Sequence, residues 1–569
     1  MPYFKKTILF ICFFCPLSLI AQGASLPNTK DLNKSFESEI KNLAGEEVDV
    51  KFPSLSGANF GELENNEESL YLESVDYKYS KKVPKDMVAF INDKTKQIVG
   101  KKVKLKDFII FLKQLEQGFV EIGYPMVRVV FPAQNLESKK ATPTIYIISG
   151  IVEAIIIKDD KKEEHKDIQQ VILNILNPLK NKEFIDIKTI NEKINILKGV
   201  YGLSSKIFLS RGKKQGGFVV NVKVLYQDRQ RVAIVKNNLG SIYGSYSLQM
   251  MQANNFVKNG VAQNVRISPS ISLKQTNDVY YRSLTLGYSR YFTTGSSMAI
   301  SVLESRSASV TTDNYKIYSE NTNVSVMYRQ PRILNYLEQF YISTGFQYTN
   351  STMKNKNTNS YQYKDVAVDV IVGSDYTLKT TQGIHKTKFS LNQSMNVLDS
   401  KYTEINSVPA SRVGVKSTSA RIIGSYAFSK NLLNREKFKF VFNFQYTFNN
   451  SVLSSQQYSA TGFEKVQGLI GNGLSGDEGY SIYSEYNLKP QTIKGKLYTP
   501  FLSAAFTELN RNQPTTLESK NGIAKSISAG FSMLFNSNMS LRASLNYAEK
   551  HDVKSVYDKS IGFSLVRQF

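Results

Sequence analysis

The sequence predicts a membrane β-barrel of about sixteen antiparallel strands, preceded by two small α+β domains and an N-terminal helix. Three observations carry this. From residue 228 to 569 apolar and polar residues alternate with period two, in segments of about ten residues, the length at which a tilted strand crosses hydrocarbon. About sixteen such segments can be marked, an even number, as single-chain bacterial barrels require. Residues 71–227 instead alternate helical and strand patterns, and an exported-type leader opens the chain.

Residues 1–23 read as a secretory signal peptide. Lys5 and Lys6 form its charged start, Thr7 to Ile20 its apolar run, and Ala21-Gln22-Gly23 its small-residue cleavage site. Both cysteines, Cys12 and Cys15, fall inside it. The mature chain is therefore expected to lack disulfides, thiol catalysis and cysteine-based metal sites. In residues 24–45, Leu32, Phe36, Ile40 and Leu43 recur at helical spacing on one face, with Asn28 or Thr29 available as N-cap. An isolated helix of this length is marginal in water, so it must dock on something. Residues 46–70, around Pro53 and Gly57, read as a linker.

Two mixed units follow, 71–150 and 151–227. In the first, Tyr71 to Tyr79 reads as a strand, Met87 to Gln97 and Leu105 to Ile122 as helices, and Met126 to Phe131 and Thr144 to Ile148 as strands. The second repeats the order with a strand at Val152 to Lys158, helices at Asp167 to Leu176 and Ile187 to Tyr201, and strands at Lys206 to Ser210 and Gly217 to Leu225.

In the C-terminal region, Phe438, Phe440, Phe442, Phe444, Tyr446 and Phe448 alternate with Lys439, Val441, Asn443, Gln445 and Thr447. Ile527, Ala529, Phe531, Met533 and Phe535 do the same, as do Met539, Leu541, Ala543, Leu545 and Tyr547. A soluble sandwich would turn such rows inward and a membrane barrel outward. Segment length and an even strand number favour the barrel. So does the last strand, Ile561-Phe563-Leu565, which ends the chain on Phe569. A terminal aromatic there resembles the signal by which outer-membrane proteins are recognised for insertion, and it implies the barrel-assembly machinery as a partner during insertion. Pro269 sits awkwardly inside one proposed strand. The absence of Trp beside 33 Tyr and 33 Phe fits interfacial girdles built from Tyr and Phe.

The formal charge of +24 would suggest nucleic acid in a soluble protein. Export argues against nucleic acid and for outer-membrane lipid head groups or an acidic client, with the lysines spread over solvated faces.

The order of parts resembles the two-partner secretion transporters, the haemolysin secretion/activation branch of the Omp85 superfamily. Gly123-Tyr124 with Val127-Arg128-Val129 and Pro132-Ala133-Gln134 is similar to the passage from helix to strand in that family's first POTRA domain; helix termination alone also accounts for Gly123 and Pro125. Asn237-Asn238-Leu239-Gly240-Ser241 with Gly244, and then Asn254-Asn255, resemble its first barrel elements, with turn chemistry the plainer reading. The strongest likeness lies between the proposed eleventh and twelfth strands, in a loop at about 449–479. There Val466-Gln467-Gly468 and Leu474-Ser475-Gly476-Asp477-Glu478-Gly479 resemble the family's long sixth loop, which folds back into the lumen.

In the family an Arg in a Val-Arg-Gly sequence meets a carboxylate on the inner wall. Here Gln467 takes that position, and the strand expected to supply the carboxylate, Tyr498 to Glu508, has no acid from Lys496 through Thr507. The expectation is a loop that still enters the lumen, held by neutral hydrogen bonds. The resemblance implies two POTRA domains and a plug formed by residues 24–45.

Signs of catalysis are weak. Gly471-Asn472-Gly473-Leu474-Ser475-Gly476 is formally G-x-G-x-x-G, but its flanks are extended strands rather than a strand and a helix. Ser475 lacks a base within reach in sequence, and His165, His385 and His551 carry no triad or ligand signature, which favours surface placement. Carboxylate pairs such as Glu163-Glu164 sit in charged, solvated runs. No enzyme activity, metal or cofactor is expected. The expected function is capture of an unfolded, large secreted partner protein in the periplasm and its export through a barrel in the outer membrane of a Gram-negative bacterium. The alternative is an outer-membrane assembly or insertion factor of the same superfamily. A small-molecule porin fits less well, because porins lack a segment like 71–226.

Overall fold

The computed structural model describes residues 69–569 except 80–82, 133, 135–139, 160–164, 181, 214–215, 241–244, 274, 277, 311–315, 336, 399–403, 406–407, 417, 463, 470–473, 515–518 and 554. The expected signal peptide, the expected helix bearing Leu32, Phe36, Ile40 and Leu43, and nearly all of the expected linker fall outside the described residues.

The first unit comprises β1 (Asp76–Tyr79), α1 (Lys85–Thr95), α2 (Leu105–Glu121), β2 (Arg128–Val130) and β3 (Thr144–Ile148). β3 is central, parallel to β1 and antiparallel to β2. The stripe Phe108, Leu112, Leu115 and Phe119 on α2 packs on Val129, Ile145 and Ile147 of the sheet, a helical period meeting a strand period across one core. The single strand expected over 71–79 is two pieces. Ser69–Tyr71 pairs with Lys102–Lys104 instead, and the chain turns before β1 begins.

The second unit repeats the plan with β4 (Ile151–Lys158), α3 (Lys166–Leu176), α4 (Ile187–Gly199), β5 (Leu203–Arg211) and β6 (Gly217–Tyr226). β6 is central, parallel to β4 and antiparallel to β5. Asp186 caps α4, its carboxylate accepting from the Thr189 N–H. The two units share a joint, since the Ile187 N–H donates to the Gly123 carbonyl at 2.8 Å.

Sixteen antiparallel strands then close a barrel. In chain order they are β7 (Arg229–Gly240), β8 (Ser245–Lys258), β9 (Val261–Ser272), β10 (Tyr280–Tyr291), β11 (Ser297–Val310), β12 (Lys316–Leu334), β13 (Glu338–Asn355), β14 (Ser360–Thr380), β15 (Gly383–Ser394), β16 (Ala420–Asn431), β17 (Lys437–Tyr446), β18 (Glu478–Asn487), β19 (Lys496–Asn510), β20 (Asn521–Asn536), β21 (Met539–His551) and β22 (Ser555–Gln568). Closure is between β22 and β7, from Ser564 opposite Lys236 to Gln568 opposite Val232. Pro269 lies within β9 after all. It pairs with Leu284 of β10, while the register with β8 is interrupted between Gln249/Ser270 and Gln252/Ile267, so its missing N–H falls where the ladder is open.

The barrel wall is inside out relative to a soluble protein. Ile527, Leu545 and Ile561 are 65%, 68% and 64% exposed, whereas Ser526, Ser528 and Asn546 between them are buried. On β9, Ile267 and Ile271 are exposed and Ser268, Ser270 and Ser272 buried. Apolar rows on the outside of a closed sheet of long strands suit a hydrocarbon surround.

The second α+β unit seats on one rim of the barrel. Ala262, Tyr291 and Leu334 of the barrel join its core. Gly199, at the end of α4, faces Tyr291 so closely that a Cβ would meet the ring hydroxyl at 2.1 Å. The rings of Tyr201 and Tyr291 cross edge to face. The connections β15–β16, β17–β18 and β19–β20 emerge at the opposite rim.

Candidate functional site: the lumen and its inserted loop

The segment joining β17 to β18, residues 447–477, turns back into the barrel. Val466, buried, packs among Tyr458, Ala460 and Leu474 of the same segment and Val441, Tyr483, Ala505, Leu509, Ala524 and Ala548 of the wall. Gly468, at φ +94°, lies so near β21 that a Cβ would approach that of Asn546 to 2.7 Å, a place and a conformation that only glycine fills without strain. Beside it, the Gln467 N–H donates to Ser526 Oγ at 3.1 Å. The loop thus enters the lumen, and at Gln467 the tie is uncharged.

Elsewhere the tie is charged, which corrects the expectation of a neutral latch. Arg421 of β16 is wholly buried; its Nη2 donates to Asp369 Oδ2 of β14 at 2.5 Å and its Nη1 to the Gln456 carbonyl of the loop at 3.2 Å. Gln456 Nε2 donates back to Asp369 Oδ1 at 3.2 Å, and Ser394 Oγ holds the same oxygen at 2.7 Å. Both charges sit on the wall and the loop answers with a neutral amide. A buried ion pair survives when further hydrogen bonds fill its remaining sites, and the Gln456 amide and carbonyl help to do that.

Asp477 is the second charged tie. Its carboxylate accepts from Arg412 Nη2 at 3.2 Å, the Val452 N–H at 2.9 Å and the Asn512 N–H at 2.8 Å. Its neighbours in the predicted motif are also placed. The Ser475 carbonyl accepts from Arg511 Nε at 2.9 Å, Gly476 pairs with Tyr458, and Gly479 is the second residue of β18, opposite Leu509. Leu474 is buried in the loop's own core, and Gly471 to Gly473 lie outside the described residues. Arg412, Arg421, Asp369 and Gln456 were not singled out from sequence. The available signal was a charge inside an apolar strand run, as with Asp369 between Val368 and Val370; the partners lie 52 and 87 residues away.

In the first α+β unit Gly123 ends α2 at φ +100°. Tyr124 donates its hydroxyl to Asp86 at 2.9 Å. Gln134 acts as a strand surrogate on β3. Its Oε1 accepts from the Thr144 N–H at 2.8 Å and its Nε2 donates to the Thr144 carbonyl at 2.9 Å, and also to the Pro132 carbonyl at 3.3 Å. Ala133 lies outside the described residues. Asn255 ties the barrel to the second unit, its Nδ2 donating to the Gln227 carbonyl at 2.8 Å. Asn237 to Gly240 end β7; Ser241 and Gly244 lie outside the described residues.

A family model described as "POTRA domain, ShlB-type" matches residues 75–145. This unit is a ShlB-type POTRA domain. The POTRA domain and barrel together have the fold of CdiB from Escherichia coli, with a TM-score of 0.72 at 13% identity over 95% of this chain and 97% of that one. CdiB from Acinetobacter baumannii superposes with a TM-score of 0.62 at 13% identity, over 95% and 98%. No curated protein matches the chain in sequence.

The remaining predicted residues follow the POTRA–barrel plan. Phe563 and Leu565 lie half-exposed on β22, and Phe569 is exposed, its N–H donating to the Arg231 carbonyl of β7 at 2.9 Å. The histidines are not free surface groups. His165 Nδ1 is 3.0 Å from Asp159, His385 meets Tyr426, and His551 lies between Ser555 and Glu549.

Proposed function

We propose that the chain is an outer-membrane transporter that takes up an unfolded partner protein in the periplasm and passes it outward through its barrel. The observation that carries this reading is a polar-walled barrel with α+β units fixed to one rim and a long loop folded into the lumen. The fold shared with CdiB from Escherichia coli and the ShlB-type POTRA match support it. β2 of the POTRA domain and β5 of the second unit are edge strands of their sheets. Such edges can hold an extended client through main-chain hydrogen bonds that tolerate many sequences. The periplasm lacks a nucleotide energy source, so folding of the client outside would bias its movement outward. The N-terminal residues would lie in the periplasm, and residues 24–45 would plug the lumen at rest. No catalytic group, metal or cofactor enters this scheme.

The test is to express the chain with a large candidate client and measure the client in the medium. Appearance of the client only when this chain is present supports export. Retention in the periplasm, with other outer-membrane proteins depleted when the chain is removed, would instead indicate assembly.

A further inference from the structure

Where the second α+β unit meets the barrel there is an open cleft of about 770 Å³. One side is the end of α3 and the turn after it, with Asn174 and Asn177. The other is formed by the β8–β9 and β10–β11 turns, with Asn259, Val261, Phe292 and Thr293. Asn174 Oδ1 accepts from Gln170 Nε2 at 2.8 Å, so its Nδ2 is the group turned to the barrel; a Cβ at Gly260 would lie 3.5 Å from it. No Asp or Glu lines the cleft among the described residues.

Strand alternation tells which surroundings the cleft meets. Ala262 and Tyr291 are directly opposite each other and join the core of the second unit. Val261, Gln263, Arg290 and Phe292 therefore belong to the other face, the barrel's outside. Along that face β10 carries the exposed Leu284 and Leu286, then Tyr288, then the exposed Arg290. An aromatic ring followed by a cation is the order met on passing from hydrocarbon to lipid head groups. Arg290 Nε donates to the Tyr288 hydroxyl at 2.5 Å, which donates in turn to Gln263 Oε1 at 2.6 Å. This relay orients the guanidinium through one nitrogen, and no carboxylate among the described residues pairs with it. The next outward residue beyond Arg290 is Phe292 of the cleft, about 7 Å further along the strand.

We propose that the cleft binds the head group of an anionic glycerophospholipid of the phosphatidylglycerol type, drawn from the leaflet on the POTRA side. Arg290 holds the phosphate, the asparagine carboxamides meet the head-group hydroxyls, and Val261 and Phe292 lie against the first carbons of the lipid. Charge selects this head over one bearing an ammonium. The carbonyl end of α3 would suit a cation, but it is worth about half an elementary charge. The exposed Lys180 and Lys258, beside the lining residues Pro178 and Asn259, outweigh it. The site requires that the barrel lie in a membrane and is independent of export.

The full-length protein in maltoside detergent is titrated with short-chain phosphatidylglycerol, phosphatidylethanolamine or phosphatidylcholine, and retained lipid is counted by native mass spectrometry. Phosphatidylglycerol should be retained in preference to the other two. Arg290→Gln should weaken its retention about tenfold, the loss of a charge-assisted hydrogen bond, and leave phosphatidylcholine unchanged. Arg332→Gln, at an exposed arginine of β12 outside the cleft, should behave like the wild type. Equal retention of all three lipids, or an Arg290→Gln protein that holds phosphatidylglycerol as the wild type does, would overturn the proposal. So would displacement of the lipid by an equal concentration of inorganic phosphate, which would make this a site for a free anion. Should Arg290→Gln fail to insert, Asn177→Asp decides: a carboxylate in the cleft should reduce retention of phosphatidylglycerol, and unaltered retention would refute the site.

Discussion

The POTRA domain and the barrel solve opposite problems with similar residues. In the POTRA domain Phe108, Phe119, Ile145 and Ile147 are buried and its described lysines are exposed or half-exposed. In the barrel Ile527, Leu545 and Ile561 face outward while serines and asparagines are buried. The same chemical preference is at work; only the solvent differs. Water surrounds the first, and hydrocarbon must surround the second, so a polar wall can be kept for the inside. What identifies the membrane part is therefore not hydrophobicity but the direction in which it points.

The largest effect that would sharpen this comparison is in the POTRA core. Phe119→Ala should cost about 3–5 kcal/mol, read from urea unfolding of the α+β part within the full-length protein, with the barrel's heat-resistant migration unchanged. A matching truncation on the barrel's outside, Leu545→Ala, should leave no cavity and cost much less.

Next is a charge on the outer wall. Leu545→Arg should cost about 2–4 kcal/mol if the position lies near the bilayer midplane, measured by reversible folding into liposomes. In a water-facing strand the same change would be neutral, and that result would break the comparison outright.

A third test weighs the joint between the two regions. Gly199→Ala pushes a methyl group into the space held by the Tyr291 hydroxyl. It should loosen the second unit from the rim by about 1–3 kcal/mol, the usual range for overpacking. Faster proteolysis between residues 199 and 229, with the barrel intact, would register it; an unchanged digestion pattern would mean that the seat is softer than its geometry suggests.

The smallest effect concerns a helix cap in the second α+β unit. Asp186→Ala should cost about 1 kcal/mol. Burial pulls the Asp186 carboxyl upward, but hydrogen bonds from Thr189 and the Lys182 ammonium outweigh it and hold the group below the usual carboxylate range. Its contribution is therefore complete above the ordinary carboxylate pKa and fades as pH falls through the lower folded value. The difference in stability between wild type and Asp186→Ala should shrink on acidification, as measured by unfolding midpoints at neutral and strongly acidic pH.

Much of this fold was legible because its signals are local. The period-two rows on β17, β20 and β21 needed no partner to be recognised, and neither did the helical stripe on α2. Strand Tyr71 to Tyr79 was misread because its first residues pair with Lys102–Lys104, a contact the sequence does not announce. The inserted loop was recognisable from Val466-Gln467-Gly468 and Leu474 to Gly479. Its neutral latch was only half correct, since Asp477 of the loop meets Arg412 of another connection and Arg421 of β16 reaches the Gln456 carbonyl.

By itself, then, the sequence determined the elements, their order, the even strand number and which face of each strand is apolar. Those follow from periodicity and from the cost of exposing backbone polar groups to lipid. Tertiary structure alone decided that Asp477 meets Arg412 and that Gln456 meets Asp369 and Arg421. Side chains dozens of residues apart become neighbours only when the barrel closes, and burial then makes their pairing obligatory rather than optional.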